Sequence, residues 1–273
     1  DSSAYQVAEA PPSFVLGPDL VWTGDGGALL TIADREDPGA TETGRSIDIG
    51  LADLPDGPWR PMLSLADRSG VTILQADRAA GQVLLVAWGA EPSFKEALRY
   101  DLGSGHLLAT LPLAGEGEVV PSPDGRLALT TLFAQGKDIS CSLVYDLVSN
   151  AAPVLYRLEH AAGTHAVGHV WSPDGRRIAY LLREGRAFWD APGNALGVWI
   201  WDLETGAATR VAEASDSAAG PVAWTPDGQY LIYRQVDAAG GSAYYALSLA
   251  EGSARPLPID PAAQILGWTP HAP

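Results

Sequence analysis

One turn motif, returning at a nearly constant interval, constrains this chain more than any other feature. Val170 to Leu182 reads VWSPDGRRIAYLL, and the pattern returns as AWTPDGQYLIYRQ from Ala223 to Gln235 and as VPSPDGRLALTTL from Val120 to Leu132. A weaker copy, VWTGDGGALLTIA, runs from Val21 to Ala33, and a degenerate one, LQADRAAGQVLLVAW, from Leu74 to Trp88. The turn aspartates are Asp25, Asp77, Asp124, Asp174 and Asp227, separated by 52, 47, 50 and 53 residues. A self-similar period of that length means a stack of equivalent supersecondary units.

A second turn motif keeps phase with the first. It reads WDLETG at Trp201 to Gly206, YDLGSG at Tyr100 to Gly105, YDLVSN at Tyr145 to Asn150, ADLPDG at Ala52 to Gly57 and SLAEG at Ser248 to Gly252. Pro presets φ, Asp bonds back to nearby amides and Gly takes the positive φ that closes the bend, so both motifs punctuate strands. The segments between them alternate, as in Val198-Trp199-Ile200-Trp201, or run apolar where both faces are expected to be buried. Thirty Gly and twenty-one Pro scattered along the chain suit many short strands, and no helical period is sustained. The fold class is all-β.

The Trp-Ser-Pro-Asp-Gly turn, an apolar strand and then a Trp-Asp-Leu-x-Thr-Gly turn resemble the repeat of TolB-like β-propellers, over nearly the whole chain. The resemblance implies a β-propeller of four-stranded antiparallel blades about a central channel, with the first strand of each blade lining it. The chain then reads as one domain, 1–273, with blades at about 19–65, 71–113, 118–158, 166–212 and 221–259. Flanking strands are expected at 5–10 and 264–270: Tyr5 to Ala10 matches the outer strand Thr209 to Ala214, and Leu266 to His271 matches the opening of a blade. The expectation is about five complete blades plus a residual sixth element.

Composition removes several function classes. The net charge is −16 with only two lysines, Lys95 and Lys137, so a phosphate backbone would be repelled and no nucleic-acid partner is expected. The single cysteine, Cys141, lies in an apolar run and reads as a small buried hydrophobe. No window approaches the roughly 20 apolar residues of a membrane-spanning helix. The opening Asp1-Ser2-Ser3 resembles the start of a mature exported protein, which makes the expected location extracytoplasmic: periplasmic, secreted or cell-surface.

Two segments carry candidate chemistry. His160, His165 and His169 are three of only five histidines and lie where blade three passes into blade four. Imidazole is a common metal ligand, so these three are the candidate metal ligands, set against a reading as hydrogen-bonded or exposed histidines. The longest insertion, Arg183 to Asn194, holds Arg186, Phe188, Trp189 and Asp190, whose composition suits a partner-binding hot spot, set against packing onto its own blade. The turn aspartates read as hairpin corners, since none shows dense calcium-ligand spacing. No Gly-x-Ser-x-Gly elbow occurs, and no catalytic residue or cofactor is assigned. The leading expectation is therefore not an enzyme but a binding or assembly subunit with a protein partner. The alternatives are a metal-dependent carbohydrate-active enzyme using the three histidines and a regulatory propeller of a larger protein.

Overall fold

A computed structural model describes residues 15–22, 28–36, 45–53, 58–66, 68–77, 80–89, 95–114, 119–133, 139–148, 154–185, 193–214, 220–236 and 241–260. The expected flanking strands at 5–10 and 264–270 and the turn aspartate Asp25 lie outside them. The described residues form five four-stranded antiparallel sheets and no helix. The first contains β1 (Val15–Trp22), β2 (Ala28–Glu36), β3 (Arg45–Asp53) and β4 (Trp59–Ala66). The second contains β5 (Gly70–Asp77), β6 (Gln82–Trp88), β7 (Lys95–Asp101) and β8 (Leu107–Leu113). In the third are β9 (Val120–Pro121), β10 (Leu127–Phe133), β11 (Ser140–Asp146) and β12 (Val154–Glu159). The fourth has β13 (Thr164–Trp171), β14 (Arg177–Glu184), β15 (Ala195–Asp202) and β16 (Ala208–Ala212). The last has β17 (Gly220–Trp224), β18 (Tyr230–Val236), β19 (Ser242–Ser248) and β20 (Ala254–Pro256). In each sheet the strands pair in chain order, as a meander of hairpins dictates.

The turn chemistry accounts for the hairpins. Ser172 Oγ donates to Asp174 Oδ1 (2.5 Å), the Arg176 amide donates to the same oxygen (3.1 Å), and Gly175 closes the bend at φ 68°. Ser122 and Asp124 repeat this at 2.6 Å, as do Thr225 and Asp227. The Ser122 hydroxyl and the Arg126 amide hold the Asp124 carboxyl below the usual carboxylate range, against a smaller upward push from burial. In the other motif, the Thr205 amide and hydroxyl donate to Asp202 Oδ1 at 2.8 and 2.9 Å. These aspartates spend their oxygens on their own turns.

The contacts divide the chain into two compact units, one holding β1–β8 with Leu147 and Val148, the other β9–β20. In the first, Leu30, Ile49 and Leu85 are almost wholly buried in one apolar layer. Gly50 of β3 lies beneath the Trp59 indole, where a Cβ would collide with the ring. In the second, β14 is buried on both faces. Ala179 and Leu181 pack with Trp224, Leu231 and Tyr233, whereas Ile178, Tyr180 and Leu182 pack with Leu129, Val144 and Trp201. Burying each such side chain contributes about 1.5–3 kcal/mol, and a strand buried on both faces must read as an unbroken apolar run, as Ile178 to Leu182 does. Cys141 is free and buried.

Four of the five first strands carry a register shift: between Leu16 and Leu20, Ile73 and Gln75, Val167 and Val170, and Pro221 and Ala223. In β13 the shift brackets Gly168, at φ 62°, and His169. Bulges of this kind re-aim side chains, which bears on the site below.

Candidate functional site

Within the second unit, the fold draws two of the three candidate histidines onto one hydroxyl. His160 follows β12, its amide donating to the Ser140 carbonyl (2.9 Å), and a turn closed by Thr164 N to Ala161 O (3.0 Å) leads into β13. Ser142 Oγ of β11 lies 2.9 Å from His160 Nε2 and 3.3 Å from His169 Nε2. The hydroxyl has one proton and two lone pairs, so at most one imidazole accepts from it, and a ring that does not accept donates its own Nε2–H to Oγ. Tyr180 covers both rings: it is edge-on to His160 at 5.5 Å and stacked on His169 at 5.9 Å.

His165 turns elsewhere. Its Nδ1–H donates to the Gly185 carbonyl (3.0 Å), and its ring meets Phe133 edge-on at 6.2 Å. The three expected metal ligands therefore divide two and one: His160 Nε2 and His169 Nε2 bond to Ser142, and His165 Nδ1 to Gly185. Among the described residues no group of three or more His, Cys, Asp or Glu is arranged to hold a metal ion.

Burial sets the charge of the pair. It pushes His160 down to about 4, with a smaller contribution from His165, and His169 down to about 3, with a smaller contribution from His160. Both rings are neutral at pH 7. Desolvation likewise pushes the Tyr180 phenol up. Although Ser142 with two imidazoles has the composition of an activated nucleophile, the serine is 0% exposed, so no substrate reaches its oxygen as the chain is folded. The constellation works as an internal polar network that pins β11 to β13.

The expected partner-binding residues Arg186, Phe188, Trp189 and Asp190 lie outside the described residues. The base of their insertion is described, and it is closed. The Glu184 amide donates to Asn194 O (2.9 Å), Arg183 Nη2 to Gly193 O (3.0 Å), and Asn194 Nδ2 to Glu184 Oε2 (2.9 Å).

Exposed apolar residues in each of the two units escaped the sequence reading. Among the described residues the exposed large hydrophobics are Leu107 and Leu108 on β8, Val148 after β11, and Val154, Leu155 and Tyr156 on β12, each between 36% and 52% exposed. Among the described residues, strands β8 and β12 are the outermost of their sheets and pair only with β7 and β11. The signal was present in Val154-Leu155-Tyr156, three apolar residues in a row where the equivalent β16 reads ATRVA.

No family model matches the chain, and no curated protein matches it. Solved structures do. Oligogalacturonate lyase in complex with manganese is 15% identical, with a TM-score of 0.64 over 89% of this chain and 68% of that one. The β-propeller domain of the Trilobed protease from Pyrococcus furiosus is 12% identical, with a TM-score of 0.57 over 91% of this chain and 72% of that one. TolB from Acinetobacter baumannii is 20% identical, with a TM-score of 0.50; the chain is covered to 86% and spans 52% of TolB's length. These likenesses show a propeller-type fold. They also correct one expectation. Chains sharing this fold include a lyase and an acylaminoacyl peptidase, so a missing elbow motif gives no ground for setting enzymes aside.

Proposed function

We propose that the chain is a protein-binding module of the TolB-like propeller type, working outside the cytoplasm and meeting its partner through outer strands. The observation that carries this reading is that, among the described residues, exposed large hydrophobics are confined to β8, β12 and the residue Val148. Elsewhere the outer strands show water a mixed or polar face, as β16 does with Thr209 and Arg210. An apolar edge strand with unpaired backbone groups is a template for another chain, and a protein that keeps one has a use for it or is left open to aggregation. The extracytoplasmic placement draws support from the likeness to TolB and from the repeat resemblance. Among the described residues no helix is long and apolar enough to cross a membrane.

The test is gentle purification of the endogenous protein, followed by mass spectrometry of the intact assembly and of a strain carrying Leu155→Lys and Leu108→Lys. A stoichiometric partner retained by the wild type and lost from the variant is the expected result. A lone chain of unchanged hydrodynamic size in both strains would overturn the reading.

A second reading has its own observation. The Trilobed protease carries its β-propeller as one domain of a larger enzyme, and this chain covers 72% of that domain. On this reading the module serves a catalytic partner domain, and the complete reading frame decides it: a catalytic domain encoded with the repeats supports it, and its absence removes it.

A further inference from the structure

The outer strands of the five sheets are not alike. Pro61, Pro112 and Pro256 lie in β4, β8 and β20, and β16 is five residues long with Arg210 at its centre. Proline has no N–H to offer a neighbour, and a short or charged edge discourages one, so these strands are defended. β12, Val154-Leu155-Tyr156-Arg157-Leu158-Glu159, has no proline, and only Leu158 of its side chains is partly covered. The hydrogen-bond phase shows which of its backbone groups face away from the sheet. The His160 amide bonds to Ser140 O, and bonded pairs alternate along an antiparallel ladder, so Leu158 with Ser142 and Tyr156 with Val144 are the next bonded pairs. Arg157 and Glu159, opposite Leu143 and Cys141, therefore turn their N–H and C=O groups outward, where no described strand takes them. The register shift between Val144 and Tyr145 leaves Leu155 opposite no residue of β11, and the regular edge ends there.

The two outward-bonding residues carry opposite charge. Arg157 and Glu159 form an exposed ion pair at 2.8 Å on one face of the strand. Two copies of this edge related by a two-fold axis run antiparallel, and their outward groups can join 157 to 157, 159 to 159, or 157 to 159. The first register sets Arg on Arg and the second Glu on Glu, and like charges directly opposite are destabilising. The third sets Arg157 of each copy on Glu159 of the other, so that the four charges alternate in sign. It also sets Leu158 on Leu158 in a non-bonded pair, where side chains come closest, and directs Tyr156 toward the segment that leads from His160 to the exposed Ala161 and Ala162. Backbone phase and side-chain charge thus select the same self-complementary register.

We infer that β12 is the contact strand of a homodimer, its occupant a second copy of this chain in the register that pairs Arg157 with Glu159. The inference rests on the reading of the outer strands as binding surfaces and names the partner at one of them. The paired edge is short and each copy carries a net charge of −16, so the association is weak and reversible.

Sedimentation velocity of the intact chain, over a concentration series at about 0.15 M salt where net charge is screened beyond about 8 Å, is the test. A reversible dimer is expected. Arg157→Glu and Glu159→Arg should each weaken it about tenfold or more, because each sets like charges opposite one another twice. The double reversal, Arg157→Glu with Glu159→Arg, should restore it, and an equimolar mixture of the two single variants should form the mixed dimer. Amide hydrogen exchange supplies a second readout: the Arg157 and Glu159 amides should exchange fast in dilute protein and slow as the dimer fills. Thermal unfolding confirms that each variant is folded. A dimer indifferent to both reversals, or one that neither the double reversal nor mixing restores, would overturn the inference. A chain that stays monomeric at every concentration overturns it too. The reading beneath it then stands if the endogenous protein still keeps a partner that Leu155→Lys with Leu108→Lys releases, and falls as well if the endogenous protein is alone.

Discussion

The indole Nε1 of Trp224 donates a hydrogen bond to the carbonyl oxygen of Val170, 3.1 Å away and 54 residues earlier. Trp171 makes the equivalent bond to Val120 O at 3.0 Å, across 51 residues. Each tryptophan that opens a Trp-Ser/Thr-Pro-Asp-Gly turn thus ties its sheet to the one before it. Arg177 adds to the joint, its guanidinium 5.0 Å from the Trp224 ring.

Trp224→Phe keeps the aromatic packing and removes the donor. It should lower the unfolding free energy by about 1–2 kcal/mol, because the Val170 carbonyl loses its partner in a part-buried site. Chemical denaturation measures the change. A variant as stable as the wild type would mean that packing alone joins these sheets.

The buried histidines make stability depend on pH with a defined sign. His160 and His169 titrate near 4 and near 3 in the folded chain, against about 6.5 when unfolded, so the unfolded state takes up protons first. Their stabilising contribution is complete above pH 6.5 and is lost progressively as pH falls through the folded values. The expected slope is about 1.4 kcal/mol per pH unit for each histidine between roughly pH 6 and 4. Denaturation curves at stepped pH, with His160→Phe for comparison, test it; equal slopes in the two proteins would remove His160 from the account.

Chelator treatment should leave the thermal midpoint unchanged. Ser142 already bonds to His160 Nε2 and His169 Nε2, and Gly185 O holds His165 Nδ1. A stoichiometric metal whose removal lowers the midpoint, and which is absent from His165→Ala, would show instead that the histidines rearrange into a ligand set.

Gly50→Ala should destabilise the first unit by about 1–3 kcal/mol, the usual cost of forcing atoms into a filled space. The added methyl would occupy the position of the Trp59 indole, which must then leave its place over β3. The near-ultraviolet circular dichroism of the tryptophans should change alongside stability, and a normal spectrum at full stability would count against the contact.

What could be read from sequence and what could not divides by the reach of each interaction. The bonds of the Ser172–Asp174 turn close within five residues, so a short string of letters contains both partners. The apolar run of β14 was legible for a related reason, since a strand covered on both sides leaves no place for a polar residue. Ser142 had no such signature. Its histidine partners lie 18 and 27 residues away on other segments, and only the folded sheet brings them to one oxygen. Nor could spacing alone show that His165 would turn to Gly185, or that Val154 to Tyr156 would remain exposed, because each depends on what the neighbouring strands cover.

The acceptor in each of those tryptophan ties is a main-chain oxygen, a group that every residue type provides. A duplicated segment therefore brings its own donor and asks nothing of the side chains ahead of it. The accepting copies Val120-Pro121 and Val170-Trp171 differ in the residue that follows the accepting carbonyl, and the coupling forms to both. Such a joint tolerates insertion, loss and exchange of whole segments, so the number of repeats can change over time without any new pair of contacts having to be invented.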